Sequence, residues 1–140
     1  MNEFQGHCHC GNIHFTFSSM NNENDFTPRT CSCSFCRHHG GSYVSDPEGH
    51  IDLNFKDKTQ VNFYQFGQKT ADFIICKNCG VITMAISNIK DKNYAVINIR
   101  AMLDYTFTGT ATQTNFDGET PQQRLERRAQ NWIGHVVIKD

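Results

Sequence analysis

Cysteine placement constrains this chain more than any other feature. Seven cysteines in 140 residues fall into three tight groups: Cys8 and Cys10, Cys31, Cys33 and Cys36, and Cys76 and Cys79. An odd count would leave one thiol over in a disulfide framework. The N-terminal stretch Met1 to Gly6 is polar and lacks the apolar core of a secretory signal. Clustered, reduced thiols are therefore read as metal ligands. Residues i and i+2 of a strand project to one side, so a C-x-C pair can present both sulfurs to one ion. The C-x-x-C-G at Cys76 to Gly80 reads as a knuckle, a tight turn that brings two thiolates together while Gly80 relieves the backbone.

Tetrahedral zinc takes four such ligands in structural sites and keeps a position open in catalytic ones. Two pairs make one four-cysteine site, and Cys31, Cys33 and Cys36 remain as an incomplete set, but spacing suggests this partition without fixing it. Two alternatives stand beside it. Cys76 and Cys79 could be a redox dithiol, and the central cluster could be closed by His38 or His39. His9, between two ligands, is expected on the other strand face, at the surface or beside the site.

The length fits one domain, residues 1–140, with room for a hydrophobic core. Eleven phenylalanines should mostly lie in that core. A net charge of −1 and the lack of a basic stripe argue against a nucleic-acid binder, so no nucleic-acid partner is expected. No apolar run approaches the roughly 20 residues needed to cross a bilayer. A soluble, cytoplasmic protein is expected, with no membrane partner.

Apolar alternation predicts strands at Ile13 to Phe17, Val61 to Phe66, Phe73 to Ile75, Val81 to Ile86 and Tyr94 to Ile99, with shorter ones at Tyr43-Val44 and Val136 to Ile138. Residues 18–29, with Asn21, Asn22, Asn24 and Pro28, read as a polar loop, Asp46 to Gly49 as a turn, and Gly67 to Lys69 as a hairpin turn. One helix is signalled near the C-terminus. Thr120 caps it, Pro121 takes the first position, Gln123 completes a capping box and Gly134 supplies the stop. Leu125, Ala129 and Trp132 form its apolar stripe. Its basic face, Arg124, Arg127 and Arg128, reads as solvated surface.

The three motifs G-x-C-x-C-G at Gly6 to Gly11, C-x-C-S-x-C-R at Cys31 to Arg37 and C-x-x-C-G at Cys76 to Gly80 occur in that order. Together they resemble the glutathione-dependent formaldehyde-activating enzyme family, also called the centromere-protein-V domain family. The likeness covers nearly the whole chain, with Tyr64 to Asp72 and Arg100 to Asp104 following the layout more loosely. Ser32 stands where many members carry His, and the C-terminal part with Trp132 to His135 resembles only one subset.

The resemblance implies a mainly β, tent-like fold: two or more antiparallel sheets around cysteine-ligated zinc, with one C-terminal helix. It implies two Zn2+ per chain, one structural on Cys8, Cys10, Cys76 and Cys79, and one catalytic or labile on Cys31, Cys33 and Cys36. It also implies carbon–sulfur lyase activity on a glutathione-like thiol adduct of formaldehyde. Arg37 could then pair with a substrate carboxylate, and His38 or His39 could move a proton. The competing expectation is a non-catalytic binding module scaffolded by two structural zinc sites. Oligomeric state is not written in the sequence.

Overall fold

The computed structural model of the protein describes residues 1–22, 25–103 and 111–139. Asn24 of the polar loop and Asp104 lie outside the described residues. In chain order the strands are β1 (Asn2–His7), β2 (Ile13–Ser19), β3 (Arg29–Cys31), β4 (Tyr43–Val44), β5 (His50–Phe55), β6 (Val61–Tyr64), β7 (Asp72–Cys76), β8 (Ile82–Ile89), β9 (Lys92–Asn98), β10 (Thr112–Thr114) and β11 (His135–Lys139). Two α-helices interrupt them, α1 (Ser34–His39) and α2 (Pro121–Asn131).

The strands form two sheets, one in the order β1-β2-β5-β11 and one in the order β10-β3-β4-β9-β8-β7-β6. The expected mainly β architecture is thus present, with two departures from antiparallel pairing: β11 runs parallel to β5 and β10 runs parallel to β3. Parallel neighbours need a long crossover rather than a hairpin. For β11 the return passes through α2, which brings His135 back beside His50.

Strand β5, absent from the sequence reading, buries Ile51, Leu53 and Phe55 and turns Asp52 and Asn54 outward. Its inward residues join Phe4, Phe15 and Phe17 from the same sheet and Ile74, Met84 and Ile97 from the other in one apolar cluster. Fully burying side chains of this size contributes roughly 1.5–3 kcal/mol each. The larger sheet is covered on both faces. Met84 and Ile86 of β8 enter that cluster, whereas Ala85, with Val96 of β9, faces a second one with Cys36, Tyr43 and Trp132. Covering both faces is why β8 is buried without the usual alternation.

The phenylalanines divide accordingly. Phe4, Phe15, Phe17, Phe26 and Phe55 are core residues. Phe35, Phe66, Phe73 and Phe116 are only half-buried, and Phe63 is exposed. Phe107 lies outside the described residues; of the others, Phe35, Phe66 and Phe73 meet in tilted pairs at centroid distances of 4.6–5.5 Å beside the second cluster instead of joining the main core.

The α2 start follows the sequence closely. Thr120 accepts from Gln123 N, Gln123 answers to Thr120 N, and Pro121 takes the first position. Its end does not. The helix stops at Asn131 because Ile133 leaves to pair with Ala95 of β9, through N–H to carbonyl bonds of 2.8 and 3.0 Å, and Gly134 needs no left-handed turn. The second helix, α1, lies in the central cysteine motif, where the sequence reading placed only a compact segment. No helix among the described residues is long and apolar enough to cross a membrane.

Candidate metal centres and the adjoining cavity

Two hairpin turns bring four cysteines together. In the first, Cys8 N–H bonds Ile13 carbonyl at 2.9 Å, Gly11 N–H bonds Cys8 carbonyl at 3.0 Å, and Gly11 takes φ +84°. The second repeats the construction, with Cys76 N–H on Val81 carbonyl at 3.0 Å, Gly80 N–H on Cys76 carbonyl at 2.9 Å and Gly80 at φ +80°. Positive φ strains any residue with a Cβ, so each turn closes on glycine. Cys8 and Cys10 therefore sit in a turn after β1 and not within a strand as expected. The turn wraps both sulfurs toward one point, and His9 between them is exposed.

The four sulfurs of Cys8, Cys10, Cys76 and Cys79 lie within 4.8 Å of one another. Cys10 Sγ is 3.8 Å from Cys8 Sγ and 3.5 Å from Cys76 Sγ. Zinc–sulfur bonds of about 2.3 Å imply tetrahedral edges of about 3.8 Å, so the donor set fits a closed zinc site. Backbone N–H groups of Ile13 and Cys79 point at Cys8 Sγ and Cys76 Sγ, at 3.3 and 3.5 Å, which suits thiolates. The group has a dry and a wet side: burial pushes the Cys8 thiol up to about 12, while a hydrogen bond from the Asn78 side chain brings exposed Cys10 down to about 6. With all four thiols in one group, Cys76 and Cys79 do not form an isolated redox pair.

Cys31, Cys33 and Cys36 form a second group, again within 4.8 Å. Cys31 ends β3, Cys33 caps α1 and accepts from Cys36 N–H at 3.4 Å, and Cys33 N–H points at Cys31 Sγ at 3.5 Å. Gly40, at φ 69°, stops the helix after six residues. The thiols polarise one another. A hydrogen bond from Cys36 lowers Cys31 to about 5, while Cys31 and then burial push Cys36 upward. Three sulfurs within 4.8 Å of one another are a donor set that could hold a metal ion.

Among the described residues no histidine or carboxylate joins this group. His38 is exposed and donates Nδ1–H to the Ser34 carbonyl. His39 is half-buried, packs on Phe35 at 4.8 Å and lies 3.3 Å from Tyr43 Oη. Arg37 is exposed and forms no ion pair among the described residues.

A cavity of about 160 Å3 opens beside Cys31, Cys33 and Cys36. Ala85, Val96 and Phe73, on the outer face of the larger sheet, also line it, and small side chains at the first two leave the space. Helix α2 contributes Arg124, Arg127, Arg128 and, just past its end, Trp132. This corrects the solvated-surface reading of the basic face. Arg128 is 8% exposed, Arg124 and Arg127 are half-buried, and Ala129 of the supposed apolar stripe is exposed.

The arginines can turn inward because partners meet them there. Glu119 takes two bonds from Arg127, at 2.9 and 3.0 Å, and one from Arg124 at 3.5 Å, while the Arg127 guanidinium stacks on Phe116 at 3.6 Å. Arg128 Nη1 donates to Thr70 Oγ1 at 2.8 Å, the Thr70 carbonyl at 3.1 Å and Ser87 Oγ at 3.2 Å. Spacing of i, i+3 and i+4 made these three arginines one stripe in the sequence. Which way the stripe faced depended on Thr70 and Ser87, 58 and 41 residues away.

The family described as glutathione-dependent formaldehyde-activating enzyme matches residues 3–117, a span that holds all seven cysteines and ends before α2. A crystal structure of a Rhodobacter sphaeroides protein is similar over 79% of this chain and 99% of its own, with a TM-score of 0.58 and 25% identity. No curated protein matches. Three ordered cysteine motifs, two thiol clusters of metal-site geometry and a family match over most of the length agree: the chain belongs to the glutathione-dependent formaldehyde-activating enzyme family.

Proposed function

We propose that residues 1–140 act as one zinc domain and that the cavity is the active site of a carbon–sulfur lyase. Its substrate would be a thiol–formaldehyde adduct of the S-hydroxymethylglutathione type. The observation that carries this reading is the three-cysteine cluster, which lines a cavity and has no fourth protein ligand among the described residues. Cys8, Cys10, Cys76 and Cys79 would hold a structural zinc, and Cys31, Cys33 and Cys36 a second, labile or catalytic one.

When bound at the open set, zinc supplies Lewis acidity and favours the thiolate form of a thiol. The chain supplies the rest. N–H groups of Cys33 and Cys36 orient two of the sulfurs. Ala85, Val96, Phe73 and Trp132 keep water from the reacting carbon. Tyr43, on the cavity wall and held un-ionised by burial and then by the neighbouring thiols, can hold an adduct oxygen as a neutral donor. In the lyase direction the carbon–sulfur bond breaks, the hydroxyl proton leaves as formaldehyde forms, and the sulfur regains a proton.

Cys36→Ser tests the assignment. Wild type should hold two zinc ions, lose one first to chelator, and release formaldehyde from S-hydroxymethylglutathione. The variant should keep its fold and one zinc and release none. Two equally chelator-resistant ions, each with four protein ligands by X-ray absorption at the zinc edge, would instead make the protein a binding module with two structural sites.

A further inference from the structure

The cavity wall holds more arginines than carboxylates, four against Asp117 on the wall and Glu119 beside it. Four arginines line it, Arg29 from β3 and Arg124, Arg127 and Arg128 from α2. Glu119 is shared between Arg124 and Arg127. Arg29 and Arg128 have no carboxylate partner among the described residues; Arg29 is half-buried and Arg128 buried. Arg29 Nη2 donates to Ser45 Oγ at 2.8 Å. Arg128 spends Nη1 on Thr70 and Ser87, and its buried Nε makes no hydrogen bond among the described residues.

A buried guanidinium with an unpaired donor is costly to the folded state. Burial, and then the charges of Arg127 and Arg124, lower the Arg128 pKa to about 10. An acceptor-only anion in the cavity relieves the repulsion among the arginines, and a planar carboxylate matches the guanidinium fork. On β3, Arg29 lies two residues before Cys31, so both side chains project to the same side of the strand. The cationic wall and the thiol cluster thus face one cavity.

From this we propose that Arg128 and Arg29 form an anion subsite taking a carboxylate of a ligand whose sulfur end sits at Cys31, Cys33 and Cys36. The inference rests on the lyase reading for the sulfur end only. Arg128 lies on α2, beyond residues 3–117 that the family model matches, whereas Arg29 lies within that span. The ligand class that follows is a thiol, or thiol adduct, with a carboxylate on a short arm. Arg37, exposed and away from the cavity, takes no part.

Calorimetric binding of 3-mercaptopropionate and its amide, 3-mercaptopropionamide, to the zinc-loaded protein tests the subsite. Wild type should bind the acid about tenfold or more tightly than the amide. Arg128→Gln and Arg29→Gln should each shrink that ratio toward one while leaving amide binding in place, and Arg128→Lys should restore part of it. A purely structural Arg128 would weaken both probes together. Equal binding of acid and amide by wild type, or a ratio unchanged in the two Gln variants, overturns the subsite. Retained discrimination in a protein that releases no formaldehyde would leave the subsite standing and remove the lyase reading.

Discussion

Cys10 Sγ lies 3.5 Å from Cys76 Sγ although 66 residues separate them. The contact joins the β1–β2 turn of the smaller sheet to the β7–β8 turn of the larger one. Cysteines at the tips of two hairpins, each held by its own glycine turn, make the four-thiol group a clamp between sheets.

Cys76→Ser should therefore unfasten the sheets as well as release metal. Cys76 is fully buried, and loss of a structural metal belongs with the mutations that exceed about 4 kcal/mol. Urea denaturation should give a large fall in midpoint, with one zinc fewer by elemental analysis. A variant that keeps its midpoint would mean that apolar packing alone joins the sheets.

Glu119 couples α2 to the cavity wall with a definite pH signature. Its carboxyl is held below the ordinary carboxylate range, first by the hydrogen bond from Arg127 and also by the nearby Arg124. A depressed folded-state pKa contributes stability that is present above the unfolded pKa of about 4.3 and is lost as pH falls through the folded value. The melting-temperature difference between wild type and Glu119→Gln should be flat from neutrality to about pH 5 and narrow below about pH 4. A difference independent of pH would show that the ion pair with Arg127 contributes nothing.

Thr120→Ala removes the α2 cap while leaving every cavity residue in place. Losing the bond from Gln123 N to Thr120 Oγ1 should cost about 1 kcal/mol in chemical denaturation. Because α2 carries Arg128, the same variant should also weaken 3-mercaptopropionate binding more than binding of its amide. Unchanged selectivity would mean that Thr70 and Ser87 hold Arg128 without help from the helix.

The sequence was most informative where a local pattern has one physical solution. The α2 start was legible because Thr120, Pro121 and Gln123 satisfy one another within a single turn. The knuckle was legible because C-x-x-C-G closes on itself, and Gly80 at φ +80° is the residue that turn requires. Local patterns failed where an alternative partner lay far along the chain. The C-x-C spacing of Cys8 and Cys10 suited a strand, yet Gly11 turns the chain there so that the sulfurs face Cys76 and Cys79.

The sequence by itself marked three cysteine groups of metal-ligand spacing and a mainly β chain, since short-range spacing and apolar alternation are local properties. Spacing left open which thiols group together; the motif resemblance implied the partition, and the tertiary structure brings the sulfurs into those two groups. It alone turned the arginine stripe of α2 inward and made a cavity between that stripe and the three-cysteine cluster. Those outcomes depend on residues that meet across the fold, Cys10 with Cys76 and Arg128 with Thr70 and Ser87. The free energy of such contacts depends on burial and geometry, and no run of neighbouring residues encodes either.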